Sequence, residues 1–303
     1  MCANLPRHSS GAELKHYIVA HSPSGALTFL DTKSGEYLHR YFGPVQEAQQ
    51  VYAIPSGAGN RPGRMCICDL GLGAGFNVIE TLKAAALNPE LSELEIYSFD
   101  LHLQGIDLLI ESIASFPEVL SWKPALEQLK NAAQLGNPAS FRIRDICPTS
   151  VGNAVVKWNV RLGDALEKIA EVPDQTIFDA IFYDMFSYQS APDFWKRAAI
   201  EKFARRLGSD GVFTTYSTAT PVRAILLSLG CWVGDGAYVT TKMRSTIASK
   251  NPRRILEPLA PEWLTRFKRS GKPFFEAEDA AARAIIYENV VQHPQFVLGF
   301  EDE

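Results

Sequence analysis

The sequence predicts an α/β fold with a doubly wound, mainly parallel sheet, and two observations at one place lead to this prediction. Residues 65–70 are extended and mostly apolar, and they run directly into the glycine-rich segment 71–75. Apolar residues then recur on one face of residues 76–87, which indicates a helix that ends at Asn88-Pro89. An apolar strand, a glycine-rich turn and a helix in this order are typical of nucleotide-binding sheets.

Acidic residues at the ends of successive strands are the third observation. The predicted strands cover residues 65–70, 94–99, 155–162 and 178–183, their acids are Asp69, Asp100, Asp164 and Asp184, and a fifth strand covers residues 211–216. Ligands of open parallel sheets bind beyond the carboxyl ends of the strands. Any one of these acids could cap the helix that follows it. Four in succession favour a ligand site at this edge of the sheet.

The glycine-rich turn has the spacing acid-x-Gly-x-Gly-x-Gly from Asp69 to Gly75. Glycines let the backbone turn sharply and approach a ligand closely. A carboxylate at the strand end favours a cationic or hydroxyl-bearing ligand over a pyrophosphate, so the turn favours S-adenosylmethionine over a dinucleotide. The alternative is a tight strand-to-helix connection that binds nothing, because such a turn alone is a weak signal.

Composition limits the possible domain organisation, location and metal content of the protein. The 303 residues are 46% hydrophobic and 21% charged, which suits one large domain with appendages. No apolar run is as long as a membrane span and the first residues lack a signal-peptide core, so a cytoplasmic location is expected. The five cysteines are scattered, with Cys66 and Cys68 on one face of a strand, and are expected to be reduced core residues. The histidines lack zinc-binding spacing, so no metal is expected.

Three regions follow from composition and periodicity. Residues 1–60 are predicted as an N-terminal β-rich lobe and linker, residues 61–250 as the core, and residues 251–303 as a C-terminal extension. A helical insertion is predicted at about residues 103–150, since a structureless loop of that length is unusual. Other predicted elements are strands at 17–19 and 27–30, a helix from Pro44, a linker at 55–63, insertion helices at 104–116 and 119–134, and tail helices at 262–268 and from about Glu276.

A second informative segment joins the strand at residues 178–183 to an aromatic, proline-marked loop. The loop contains an acid, Phe, and a Pro, acid and Trp cluster, in the form of Asp184, Phe186, Pro192, Asp193 and Trp195. Together with residues 69–77, this segment resembles the methyltransferase component of the bifunctional bacterial enzyme that completes 5-methylaminomethyl-2-thiouridine at the tRNA wobble position.

The resemblance extends from about residue 25 to residue 250. Residues 35–43, with Glu47 in the following helix, resemble the family's N-terminal signature, and residues 242–246 resemble its basic loop before the last strand. Ser190-Ala191 stands where the family has an Asn before the loop proline. The oxidoreductase half of the bifunctional enzyme has no counterpart here, as in the stand-alone members, and the segment after Asn251 resembles no known pattern.

The resemblance implies a class I S-adenosylmethionine-dependent methyltransferase fold, which is Rossmann-like, with S-adenosyl-L-methionine as cofactor. It implies methylation of the aminomethyl group of a wobble uridine, 5-aminomethyl-2-thiouridine, with the tRNA anticodon arm as partner and a separate oxidoreductase as supplier of the substrate. Asp184 is the catalytic candidate that holds the amino group and could also accept its proton, Asp100 is expected to hold the ribose, and Asp164 the adenine amino group. The cofactor-binding candidates are Asp69, Gly71, Gly73, Gly75, Asn77, Asp100, Asp164 and Asp184, and the substrate-binding candidates are Glu47, Phe186, Trp195, Lys242 and Arg244.

Plainer interpretations stand beside these roles. Asp184 could cap a helix or loop, Trp195 could be core, and Glu47 could lie on a solvated helix face. The net charge of −4 and the pI of about 5.9 also oppose RNA binding. Local cations could still form an RNA surface or only solvated helix faces; they are Lys196, Arg197, Arg205, Arg206, Lys242, Arg244, Arg253, Arg254, Arg266, Lys268, Arg269 and Lys272.

Three functions therefore remain open at this point. The first is methylation of an aminomethyl uridine in tRNA, and the second is methylation of a small-molecule amine or other metabolite. An aminopropyltransferase is a related possibility, but the second acid expected directly after Asp184 is missing, since Met185 follows. The third is a non-catalytic module that keeps the nucleotide-binding fold, which the retained strand-end acids oppose.

Overall fold

A central β-sheet organises the protein, for which a computed structural model describes residues 16–269 and 280–297. The strands are β1 Tyr17–His21, β2 Leu27–Asp31, β3 Gly63–Leu70, β4 Leu91–Asp100, β5 Ala139–Arg142, β6 Val155–Leu162, β7 Phe178–Tyr183, β8 Leu207–Thr215, β9 Trp232–Tyr238 and β10 Arg244–Ser249. β1 and β2 form a separate antiparallel hairpin. The other eight strands form one sheet in the order β5-β6-β4-β3-β7-β8-β10-β9.

The sheet is doubly wound around β3. β3 pairs in parallel with β4 on one side and with β7 on the other, and β6 and β8 continue the parallel part outward. β10 is antiparallel to both β8 and β9, and β5 is antiparallel to β6. Because the winding direction reverses at β3, the carboxyl end of β3 is the switch point at which such sheets bind ligands. The predicted α/β, doubly wound fold is confirmed.

Twelve α-helical segments accompany the strands in the described part of the chain. They are α1 Pro44–Glu47, α2 Ile54–Ser56, α3 Phe76–Ala86, α4 Gln104–Ser112, α5 Lys123–Gln134, α6 Ile143–Ile146, α7 Ala165–Lys168, α8 Arg197–Ala204, α9 Thr220–Ser228, α10 Glu262–Arg269, α11 Ala280–Val291 and α12 Pro294–Val297. A π-helix at Ala48–Ala53 joins α1 to α2, and 3-10 turns cover Ile113–Ser115, Pro117–Trp122, Ile169–Glu171, Pro192–Trp195 and Pro252–Arg254.

Helices bury both faces of the sheet. On one face, Ile67 of β3 belongs to an apolar cluster with Ile79 of α3 and Leu126 of α5. On the other face, Leu70 of β3 belongs to a cluster with Phe203 of α8. Strands that are buried on both faces are continuously apolar, which explains why the central strands are recognisable in the sequence.

The segment between β4 and β6 is not the purely helical cap that the sequence predicts. The predicted helices are present as α4, α5 and the 3-10 turns between them, but residues 139–142 form the edge strand β5. Ile106 and Leu126 are fully buried against the core face of the sheet. The helices therefore cover a face of the sheet, and the start of α4 packs against the turn after β3.

The Pro- and Gly-rich stretch at residues 55–63 is packed and is not an open linker. Ser56 and Ala58 are fully buried. The side-chain amide of Asn88 donates to the carbonyl oxygens of Ala58 at 3.0 Å and Arg61 at 2.8 Å. These hydrogen bonds fix the N-terminal lobe to the core, so its position relative to the strand ends is determined.

The C-terminal extension packs against the β9 edge of the sheet and against α9. Trp263 and Phe267 of α10 are buried in the same cluster as Ile286 of α11. The Gln295 amide hydrogen-bonds both backbone groups of Val233 at 2.8 Å, which protects the edge strand β9. Lys272 and the predicted helix start at Glu276 lie outside the described residues.

The sequence composition led to expectations about membrane spans, metal sites and cysteines, and the structure bears on each. In residues 16–269 and 280–297, no helix combines the length and the hydropathy of a membrane span. In the same ranges, no three His, Cys, Asp or Glu side chains meet as a possible metal site. Cys66, Cys68, Cys147 and Cys231 are free thiols. Burial raises the pKa of the Cys231 thiol to about 11, which keeps it protonated.

Candidate active site

A cavity of about 1670 Å³ opens at the carboxyl ends of the parallel strands. Its walls comprise residues 71–74 after β3, 99–102 after β4, 163–166 after β6, 184–187 after β7 and 33–41 of the N-terminal lobe. The cavity thus lies at the edge that the strand-end acids indicate. The N-terminal lobe supplies the opposite wall.

The turn after β3 packs backbone against backbone on the loop after β7. Gly71 has a φ of 82°, and an added Cβ would lie 2.3 Å from the backbone oxygen of Asp184. The N–H groups of Gly71 and Leu72 donate to the carbonyl oxygen of Phe99 at 3.0 and 3.1 Å. The N–H of Asp184 donates to the carbonyl oxygen of Leu70 at 3.0 Å. Only glycine fits at position 71, and the three strand ends form one rigid floor.

Asp100 and Asp164 both reach the cavity, and both also bind backbone. Asp100 accepts hydrogen bonds from the N–H groups of Gly73 at 2.8 Å and His102 at 3.3 Å. Burial raises the pKa of the Asp100 carboxyl. Asp164 is exposed and caps α7 by accepting from the N–H of Leu166 at 2.8 Å. The capping interpretation therefore holds for Asp164 without removing it from the cavity wall.

Asp184 lies at the bottom of the cavity, among polar partners. The side-chain amide of Asn77 donates to Asp184 Oδ2 at 2.8 Å, and the hydroxyl of Tyr52 also hydrogen-bonds the carboxyl group. Burial raises the pKa of Asp184, and the charge of Glu47 adds to this rise, while His39 and the hydrogen bonds oppose it. Asn77 is 4% exposed, and its Oδ1 has no hydrogen-bond partner. The Asn77 side chain therefore holds Asp184 from below, with a buried and unpartnered amide oxygen of its own.

A buried His–Glu pair faces Asp184 from the N-terminal lobe. His39 Nδ1 lies 3.5 Å from Glu47 Oε1, and the two side chains are only 9% and 8% exposed. Burial lowers the pKa of His39, but the nearby Glu47 carboxylate and the charge of Asp184 outweigh it, so that the pKa is raised. Glu47 lines the cavity and does not lie on a solvated helix face.

Sequence reasoning missed His39 and Tyr52. His39 has a φ of 56°, the one positive φ among the described non-glycine residues. Such strained backbone concentrates at functional sites. The signal for His39 was its place within the N-terminal signature at residues 35–43. Tyr52 carries no comparable signal, because its role depends on the π-helical turn that carries it.

Asp69 does not line the cavity, contrary to its predicted role in cofactor binding. It lies within β3, one residue before the strand ends, so its side chain points toward β4. There it accepts a hydrogen bond from Ser98 Oγ at 2.6 Å, and Ser98 in turn accepts one from the Trp158 indole at 2.9 Å. Burial raises the pKa of Asp69 to about 7. Gly75 is similarly structural, since it precedes α3 and packs on Ile106.

The raised pKa of Asp69 predicts a pH dependence of stability. Folded Asp69 keeps its proton up to a pH of about 7, whereas the unfolded chain releases it near about 3.9. The folded state therefore binds more protons between these values, and the free energy of unfolding falls as the pH rises. Asp69→Asn cannot ionise and keeps an acceptor for Ser98, so it should flatten this dependence by up to about 1.4 kcal/mol per pH unit. Urea unfolding at several pH values measures both proteins, and parallel pH curves would contradict the prediction.

The loop after β7 is held from two sides. The Trp195 indole donates to the carbonyl oxygen of Phe186 at 2.7 Å, and Trp195 itself is 2% exposed. From the N-terminal lobe, Glu36 accepts hydrogen bonds from the N–H of Ser187 at 3.0 Å and from the hydroxyls of Ser187 and Ser190. Phe186 lines the cavity, as predicted, whereas Trp195 supports the loop from the core and does not line the cavity.

The two predicted basic substrate residues do not reach the cavity. Arg244 begins β10, where its guanidinium hydrogen-bonds the Glu257 carboxylate and lies 5.3 Å from the Tyr238 ring centroid. Lys242 is exposed on the preceding turn, next to Met243, which does line the cavity. Arg244 is engaged by an acid of the C-terminal extension, which no pattern in the sequence predicted.

Most cations predicted as an RNA surface are paired or lie elsewhere. Ion pairs with carboxylates involve Lys196, Arg197, Arg205 and Arg206. Arg266 and Arg269 line a separate groove beside Thr220. Lys33 and Arg40, which the sequence analysis did not select, are exposed at the wall of the main cavity.

Comparison with known proteins agrees with this geometry. Residues 132–251 match a family model described as S-adenosyl-L-methionine-dependent methyltransferase. Over 165 residues the chain is 27% identical to the tRNA 5-methylaminomethyl-2-thiouridine biosynthesis bifunctional protein MnmC of Paraburkholderia phymatum, covering 54% of this chain and 24% of that protein. It is 24% identical over 241 residues to the uncharacterized protein MJ0670 of Methanocaldococcus jannaschii, covering 79% and 62%. The chain thus spans less than two thirds of either relative.

The crystal structure of MNMC2 from Aquifex aeolicus has a similar fold. It superposes with a TM-score of 0.63 at 22% identity, and the match covers 92% of this chain and 85% of that chain. At this level of identity the similarity establishes the fold. Residues 132–251 are therefore similar to S-adenosyl-L-methionine-dependent methyltransferases, and the described residues have the class I α/β fold.

Proposed function

We propose that the protein is an N-methyltransferase that uses S-adenosyl-L-methionine to methylate the aminomethyl group of 5-aminomethyl-2-thiouridine at the wobble position of tRNA. The observation that carries this proposal is the bottom of the cavity. There the carboxyl groups of Asp184 and Glu47 both line the cavity. These groups are acceptors for a cationic or N–H-bearing group, and an aminomethyl substituent is one.

The residues of the cavity also fit the cofactor. Gly71 keeps the turn free of side-chain atoms, and Gly73, Asn77, Asp100 and Asp164 line the walls around it. These residues would hold the methionine part, the ribose and the adenine. When bound, S-adenosyl-L-methionine supplies a methyl group that an uncharged amine can accept in an in-line displacement.

The protein's own contribution is mainly positioning. Asp184 accepts an N–H of the amine and orients its lone pair, while Asn77 and Tyr52 hold the Asp184 carboxyl group in place. Positioning well-oriented reactants can lower the activation barrier by about 7–11 kcal/mol. This contribution exceeds that of a general base, which raises the rate by roughly 10²- to 10⁴-fold. Phe186 and the loop pinned by Trp195 and Glu36 exclude water from the amine.

The tRNA acceptor has separate support. The bifunctional relative is a tRNA 5-methylaminomethyl-2-thiouridine biosynthesis protein, and the match covers 24% of it. Lys33 and Arg40 lie exposed at the cavity mouth, where they would contact phosphates of the anticodon arm. The proposal includes a cytoplasmic location and a separate oxidoreductase that supplies the aminomethyl uridine.

A small-molecule amine is the second candidate acceptor. The net charge of −4 favours it, as do the ion pairs that occupy the cations of α8. The two acceptors differ in whether transfer requires an intact RNA.

Transfer of labelled methyl groups separates these functions. The protein is incubated with labelled S-adenosyl-L-methionine and undermodified tRNA that carries the aminomethyl wobble uridine, with free alkylamines and fully modified tRNA as parallel acceptors. The proposal predicts label only in undermodified tRNA, and ribonuclease treatment before the reaction should prevent it. Label in free amines at a comparable rate would show that the acceptor is a small molecule.

A further inference from the structure

The proposed function leaves one chemical requirement without a residue. An alkylamine is largely protonated near neutral pH, and a protonated amine has no lone pair with which to accept a methyl group. A group in the cavity must therefore remove a proton before transfer. If Asp184 took this proton, it would lose the negative charge that stabilises the cation formed on the nitrogen.

We propose that the His39–Glu47 pair accepts this proton, so that Asp184 stays ionised beside the reacting nitrogen. This inference rests on the proposed function, because it requires an amine as acceptor. His39 lines the cavity, and its Nδ1 lies 3.5 Å from Glu47 Oε1. Because Nδ1 faces Glu47, imidazole Nε2 is the nitrogen that would act on a ligand in this proposal.

The proton transfer balances without any further reactant. An N–H bond of the substrate ammonium breaks, its electron pair stays on the substrate nitrogen, and the proton forms a new N–H bond at His39 Nε2. The imidazolium that results is paired with the Glu47 carboxylate. The amine that results is neutral and carries the lone pair needed for transfer. The proton leaves His39 for solvent after the product departs.

The two acids that act on His39 favour its protonated form. Glu47 from α1 and Asp184 from the loop after β7 are the acids that act on it, and together they raise the pKa of His39 against the effect of burial. Tyr52 and Tyr216 face the same acids, and burial raises the pKa of both phenols, so they stay neutral. On its remaining side, His39 contacts the edge of the Phe76 ring at a centroid distance of 6.1 Å.

The backbone conformation of His39 is energetically unfavourable, although it holds the side chain at the cavity wall. Its φ of 56° is in the left-handed region, which non-glycine residues rarely adopt. This conformation turns the ring toward Glu47 at the cavity wall. Asn also tolerates the left-handed region, so His39→Asn removes the imidazole with little backbone strain. Glu47→Gln removes the charge and keeps the shape of the pair.

Histidine NMR titration of the free protein tests the pair without cofactor or RNA. The His39 resonance is identified by its loss in His39→Asn. It should titrate above the ordinary value of about 6.5, and Glu47→Gln should lower its pKa. A His39 pKa at or below the ordinary value that Glu47→Gln leaves unchanged would overturn the inference.

The pH dependence of single-turnover methyl transfer to undermodified tRNA tests the chemistry. In the wild type the rate should rise with pH through the His39 pKa, because the base must be unprotonated. Glu47→Gln should move this ascending limb to lower pH, whereas His39→Asn should remove it and lower the rate by about 10²- to 10⁴-fold. A limb that survives unchanged in His39→Asn contradicts the role of His39. Failure of the wild type to label tRNA at every pH contradicts the proposed acceptor instead.

Discussion

Replacing Asp184 with Asn is expected to lower the rate of methyl transfer by about 10²- to 10⁴-fold. The variant keeps an oxygen for the Asn77 amide, which donates to Asp184 Oδ2 at 2.8 Å, so the loop after β7 should keep its shape. It removes the negative charge that meets the amine at the bottom of the cavity. Affinity for S-adenosyl-L-methionine, measured by calorimetry, should change far less than the rate, because Asp184 acts on the acceptor side.

Asp174→Asn is the matched control for this prediction. The Asp174 side chain is fully exposed and lies before β7, far from the cavity wall, so the same chemical change should leave the rate within about twofold. A wild-type rate in Asp184→Asn would show that its carboxylate takes no part in transfer. An equal loss of rate and of cofactor affinity would place Asp184 on the cofactor side.

The second large effect is expected at Gly71. In Gly71→Ala the new methyl group would lie 2.3 Å from the Asp184 backbone oxygen, at a φ of 82° that L-residues avoid. The turn after β3 and the loop after β7 must move apart, and displacements of this size can cost about 10²-fold in rate. We expect a loss of cofactor binding and of at least that much activity. Overpacking should also lower the free energy of unfolding by roughly 1–3 kcal/mol beyond the backbone strain.

Gly63→Ala separates the clash from the strain. Gly63 begins the same strand with a φ of 77°, but an added Cβ meets no atom within 4 Å. This variant should lose about 1–2 kcal/mol of stability from its backbone conformation and keep its cofactor affinity. Calorimetric binding and urea unfolding of both variants provide the comparison. Equal behaviour of the two would contradict the proposed contact between the floor of the site and the loop after β7.

The parts of the fold that the sequence predicted are those set by local pattern. β3 and β7 are mostly apolar and buried, and β4 and β6 alternate apolar with polar residues, so the ends of these strands, and the acids there, could be read directly. The edge strand β5 could not, because four residues that alternate between buried and exposed carry no distinctive pattern. The helices around it showed their periodicity, but only the packing showed that they cover a face of the sheet and not the site.

For the site, the outcome depended on how each side chain is oriented. Asp184 directly follows β7, Asp100 is the last residue of β4, and both reach the cavity. Asp69 instead lies inside β3 and accepts a hydrogen bond from Ser98. Arg244 does not line the cavity, because Glu257, from a segment without a recognisable pattern, holds it. His39 was missed because its place in the site depends on how the N-terminal lobe packs against the strand ends.

Nucleoside analysis of tRNA after reaction tests the proposed function most directly. Undermodified tRNA is incubated with the protein and S-adenosyl-L-methionine, digested to nucleosides and analysed by mass spectrometry. We predict that 5-aminomethyl-2-thiouridine disappears while its N-methyl derivative appears in equal amount, and that Asp184→Asn leaves the nucleoside unchanged. Unchanged wobble uridine with the wild-type protein, under conditions in which it binds the cofactor, would contradict the proposal.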